Sequence, residues 1–75
     1  MSSHSPLPAE QEELRHRKLE NMTDEQLVLW IEACEIMERW VTFSKARRTW
    51  KRAREATVAE IGKREEKARR RAENS

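Results

Sequence analysis

Between residues 24 and 61 the apolar side chains recur at alternating steps of three and four, and they separate into two stripes. One is Leu27, Trp30, Cys34, Met37 and Val41, and it stops there. The other runs Leu29, Ala33, Ile36, Trp40, Phe43, Arg47, Trp50, Arg54, Thr57 and Ile61 without a slip. The second is a heptad seam, with Leu29, Ile36, Phe43, Trp50 and Thr57 at d and Ala33, Trp40, Arg47, Arg54 and Ile61 at a. These steps predict one α-helix over residues 24–61, a span of 38 residues with neither Pro nor Gly inside it.

The start of that helix is well marked. Thr23 is placed to cap the first free N–H groups, and Gln26 stands three residues on, which is the pattern of a capping box. Met22 and Leu27 stand where a hydrophobic staple needs them. Asp24 and Glu25 set negative charge on the positive end of the helix dipole. Gly62 follows as the expected C-cap.

A continuous helix of this length spans about 57 Å at 1.5 Å per residue, whereas a compact 75-residue domain has a radius of gyration of only about 11 Å. Its own chain cannot cover it from end to end. Either the helix breaks or it pairs with something else.

The flanks are weaker. Residues 1–7 are polar and interrupted by Pro6, and disorder is expected there. Pro8 suits the first turn of a short helix running to about Glu20, with acids early (Glu10, Glu12, Glu13) and bases late (Arg15, Arg17, Lys18). Its apolar content is only Ala9, Leu14 and Leu19, enough to lie on another helix. Residues 63–75 are almost wholly charged and read as a helical extension or a solvated tail. Residues 8–62 would then be the folded part, a helical hairpin in which the short helix covers the first stripe and leaves the seam to an external partner.

Composition sharpens this picture. Charged residues make up 40% and hydrophobic ones 36%, with one Gly and two Pro, as in long exposed helices. The net charge of +2 hides an asymmetry: residues 1–43 carry four basic and nine acidic groups, residues 44–75 twelve basic and five acidic. Cys34 is the single cysteine, so an intrachain disulfide is excluded and a buried thiol in a reducing compartment is expected. The first residues lack the apolar core of a secretory signal, and no run approaches a membrane span. The expectation is a cytoplasmic protein.

The sequence offers no catalytic or metal-ligating constellation. His4 and His16 are expected to face solvent, and the carboxylates are spread as helix-face charges, such as Glu35 with Arg39 at i,i+4. No catalytic residue, metal, cofactor or small-molecule substrate is assigned, and the chain is expected not to be an enzyme. Residues 44–54 (SKARRTWKRAR) hold six basic side chains and no acid. Lys45, Arg48, Lys51 and Arg52 cluster opposite Ala46 and Ala53, a one-sided basic face. With Arg47, Arg54 and the stacking surface of Trp50, this segment is the candidate nucleic-acid site. A zipper-type DNA reader sets its basic region before the heptads, and here the order is reversed.

The expected fold is therefore all-α: a short N-terminal helix hairpinned on one long helix, assembled as an antiparallel coiled-coil dimer of four helices. A parallel pair would set like charge beside like. Reversal sets Phe43 against Arg47, Trp40 against Trp50, Ala33 against Thr57 and Leu29 against Ile61 of the second copy, with Glu38 level with Arg52. The expected interface is Leu29, Ala33, Ile36, Trp40, Phe43, Arg47, Trp50, Arg54 and Ile61, where Arg47 and Arg54 limit burial and tune partner choice. The competing arrangement is a monomer whose helix breaks near residues 42–44 and folds back as a three-helix bundle. In function the preferred expectation is a small protein–protein interaction module that self-associates and makes a regulatory, adaptor or inhibitor contact with a larger intracellular partner. The alternative is a nucleic-acid-binding helical protein.

Overall fold

The capping box forms as the sequence predicts, and it fixes where the main helical segment begins. In the computed structural model, which describes residues 6–74, the Thr23 N–H donates to Gln26 Oε1 at 2.9 Å, and the Gln26 N–H donates to Thr23 Oγ1 at 3.1 Å. Met22 and Leu27 are both buried beside it. Among the described residues the helices are α1 (Ala9–Glu13), α2 (Asp24–Trp40) and α3 (Ser44–Asn74), with 3-10 turns at Leu14–His16 and Leu19–Asn21 and no strand. The chain is all-α. Residues 1–5, part of the segment expected to be disordered and including His4, lie outside the described residues.

The single helix over residues 24–61 does not form. α2 stops at Trp40, Val41 is extended at φ −74° and ψ 143°, and α3 runs back along α2. Val41, Thr42 and Phe43 are two β-branched residues and an aromatic in succession, a weak stretch for a helix. Breaking there forfeits a few helical hydrogen bonds, each worth about 1 kcal/mol net. Folding back covers side chains of both stripes, each worth about 1.5–3 kcal/mol when buried. Burial wins. Arg47 offsets part of the loss: its Nε donates to the Glu38 carbonyl at 3.2 Å and its Nη2 to the Val41 carbonyl at 3.1 Å, so it caps the end of α2 from the next helix.

The first stripe is therefore covered by α3 as well as by the N-terminal segment. The core comprises Leu7, Leu14, Met22, Leu27, Trp30, Ala33, Cys34 and Met37, with Trp50, Ala53 and Ile61 of α3 packed against it. Thr57 is fully buried there, its hydroxyl donating to the Ala53 carbonyl at 2.7 Å. Leu7, assigned by sequence to the loose N-terminus, is part of this core.

The N-terminal helix is shorter than expected. α1 ends at Glu13, and the chain continues through two 3-10 turns separated by extended Arg17 and Lys18. On a regular helix Leu14 and Leu19 would point about 140° apart, at roughly 100° per residue. The broken path buries Leu14 and Met22 and half-buries Leu19.

Gly62 does not end a helix either. α3 passes through it with no positive φ and reaches Asn74. A central Gly costs only about 1 kcal/mol relative to Ala, and the Lys, Arg, Glu and Ala that follow are strong helix formers. Arg64 with Glu60 and Arg70 with Glu66 add i,i+4 ion pairs. The end of α3 runs past the rest of the molecule, which measures 53 × 24 × 15 Å with a radius of gyration of 14.6 Å.

Candidate interaction surface

Two arginines fix how α3 lies on α2. Arg54 Nε meets Glu38 Oε2 at 2.6 Å. Arg64 reaches Asp24 Oδ1 at 2.9 Å, Glu60 Oε2 at 3.0 Å and the Leu19 carbonyl at 3.1 Å, tying the start of α2 and the preceding turn to α3. Hydrogen bonding to Glu38 raises the Arg54 guanidinium above its ordinary range, and hydrogen bonding to Asp24 and Glu60 does the same for Arg64. The pairs Glu38–Arg54 and Asp24–Arg64 lie nearly symmetrically about Lys45. The pairing is antiparallel, as the heptad seam suggested between two chains, but it forms within one; Glu38 meets Arg54 rather than Arg52, and Trp50 meets Trp30 rather than Trp40.

The seam residues divide accordingly. Ala33 is buried, and Leu29, Ile36, Trp50 and Ile61 are partly buried against the chain's own core. The Leu29 carbonyl accepts from Gln11 Nε2 at 3.0 Å. Trp50, placed by sequence on an outward seam, faces Trp30 with ring centroids 5.7 Å apart and a tilt of 58°, and Arg15 lies 5.4 Å over its ring. Trp50 is thus engaged in the core.

Trp40 and Phe43 are the seam's large apolar residues that stay open. They flank the turn and are 50% and 76% exposed. Lys45 and Arg48 follow on the first two turns of α3, and Lys51 and Arg52 continue the same outward face. Among the described residues none of these four cations makes an ion pair. Of the six basic residues expected to contact nucleic acid, Arg47 and Arg54 are instead committed to α2. The first turn of α3 holds no acid. Cations there oppose the helix dipole, so this end of the molecule gives up some stability and projects a positive field beside exposed aromatic surface.

A second apolar strip lies along the hairpin edge, where Val28, Ile61 and Ala68 line a groove with Asp24, Arg64 and Glu65. Val28 and Val58 are half-exposed beside it.

Cys34 is fully buried, and its thiol is pushed up from about 9.0 to about 11, first by burial and then by the nearby Glu38 carboxylate. Such a thiol stays protonated and unreactive at neutral pH. His16 is exposed. Among the described residues there is no group of three or more His, Cys, Asp or Glu able to hold a metal, and no helix long and apolar enough to cross a membrane. Comparison with protein families, with curated proteins and with solved structures finds no match.

Proposed function

We propose that this chain is a non-enzymatic helical interaction module, which self-associates and makes a regulatory, adaptor or inhibitor contact with a larger intracellular protein. The observation that carries the reading is the hairpin turn. Trp40 and Phe43 remain in water at the end of a hairpin that buries Leu27, Ala33, Cys34 and Thr57 completely. Large aromatics are the commonest anchors of protein interfaces. The cations beside them favour a partner surface with an apolar pocket framed by carboxylates.

The experiment is sedimentation of the wild-type chain and of a Trp40→Ser/Phe43→Ser variant at tens of micromolar. The expected result is a mass above monomer for the wild type and monomer for the variant, with unchanged helical circular dichroism. A wild type that stays monomeric refutes the self-association.

The basic face supports a second reading, nucleic-acid binding through Lys45, Arg48, Lys51 and Arg52. It predicts that labelled duplex or single strand binds the chain at about 0.15 M salt, with affinity falling steeply as salt rises. Replacing these four residues with Gln would then abolish binding and leave the oligomer unchanged. The preferred reading predicts no binding at that salt.

A further inference from the structure

The hairpin hides a two-fold relation. Glu38–Arg54 and Asp24–Arg64 lie about equally far on either side of Lys45, and Ala33 and Thr57, both fully buried, fall at matching distances. If residues 41–43 became helical, a second copy laid antiparallel would offer Glu38 and Asp24 of each α2 the same arginine partners, Arg54 and Arg64, now from the other chain. The seam already runs through residues 41–43 without a slip, and that segment holds no Gly or Pro and no positive φ to commit it to a turn. The connection is three residues long, and short hinges invite exchange.

From this we infer that the self-association proposed above proceeds by exchange of α3, with a second copy of this chain as the partner. The inference rests on that reading. In the exchanged dimer Trp40 and Phe43 lie beside the two-fold axis, on the seam and between the helices. The two aromatic residues that the closed hairpin leaves open are thus the ones the dimer covers. Arg47, released from the carbonyls of Glu38 and Val41, comes level with Phe43 of the partner copy. Charge agrees with the geometry, since the acidic α2 of each copy meets the basic α3 of the other.

The test uses two single-cysteine chains, Val28→Cys and Glu65→Cys, each also carrying Cys34→Ala. Residues 28 and 65 line one groove of the hairpin, so each labelled chain holds only half of a linkable pair. Mixed at tens of micromolar and treated with a short bis-maleimide, they form a 28–65 covalent heterodimer if α3 is exchanged. In a Thr42→Pro background the heterodimer is lost and sedimentation gives monomer, while helicity persists. Extended Val41 already suits the residue before a proline, whereas a straight helix cannot accept one at that place. Val41→Ala/Thr42→Ala acts in the opposite direction and raises the heterodimer yield several-fold. A dimeric mass without the 28–65 link overturns the exchange and leaves self-association standing. A monomeric mass for the wild-type chain overturns both.

Discussion

α2 and α3 are both helices, yet they are held by different forces. α2 has 17 residues, of which Leu27, Trp30, Ala33, Cys34 and Met37 are buried, and a side-chain cap at its start. α3 has 31 residues, of which only Thr57 is buried, and no acid in its first turn. α2 is helical because packing and a cap make it so. α3 has an inner face that docks on α2, but beyond Arg64 its helix rests on the propensity of Ala, Arg, Lys and Glu and on exposed ion pairs such as Arg70–Glu66. In an isolated chain such a segment is marginal. The difference teaches that a change in α2 is felt through the whole fold, while one in the outer part of α3 is felt locally.

The widest gap should come from truncating the core. Leu27→Ala removes a side chain that is 0% exposed and is expected to cost about 2–5 kcal/mol, enough to leave so small a domain largely unfolded. Val58→Ala, on the half-exposed side of α3, should change stability by less than about 0.5 kcal/mol. Urea denaturation of the two variants checks the contrast, and equal losses would mean that α3 is packed as deeply as α2.

The caps come next. Thr23→Ala breaks the capping box of α2 and should cost about 1 kcal/mol. An unchanged melting temperature would argue that the helix starts elsewhere. Gly62→Ala should act in the opposite direction. A methyl group at Gly62 meets nothing within 4 Å and the backbone there is helical, so the substitution should stabilise α3 by about 0.5–1 kcal/mol. Destabilisation by Ala would restore the cap that the sequence suggested.

The smallest effect at neutral pH concerns Cys34. Its folded-state pKa of about 11 stands above the value near 9.0 of an exposed thiol. Below pH 9 the thiol is protonated whether the chain is folded or not, and the group leaves stability independent of pH. Between about pH 9 and 11 the unfolded chain ionises first, so stability is lost as pH rises. Melting temperatures across that window should fall less steeply for Cys34→Ala than for wild type. Parallel slopes would mean that the thiol is not desolvated.

Much of this was legible beforehand because it is local. Thr23 and Gln26 need only each other, and the stripe of Leu27, Trp30, Cys34 and Met37 needs only a helix. What the sequence could not say is which molecule covers the seam. Steps of three and four state that Ala33 and Thr57 face the same way along a helix; they are silent on whether the chain bends between them. The bend depends on balancing weak helix formation at residues 41–43 against burial of side chains far apart in sequence. Gly62 and the N-terminal segment failed for a related reason: a local preference of about 1 kcal/mol yields to what the surrounding residues gain by packing or by propagating a helix. Of the basic set, Lys45, Arg48, Lys51 and Arg52 lie outward as the wheel suggested, whereas Arg47 and Arg54 are taken by partners that appear only once the chain folds back.

The fold-back at residues 41–43 underlies the whole account, and one distance tests it most directly. Spin labels at Val28→Cys and Glu65→Cys in one chain, with Cys34→Ala, are measured by pulsed electron resonance at low micromolar total protein, below the concentration at which exchange between copies is proposed. Two packed helices lie about 8–10 Å apart, so with the label arms included the account predicts a separation within about 20 Å. A distance near roughly 55 Å, the span of an unbroken helix between those positions at 1.5 Å per residue, would contradict it.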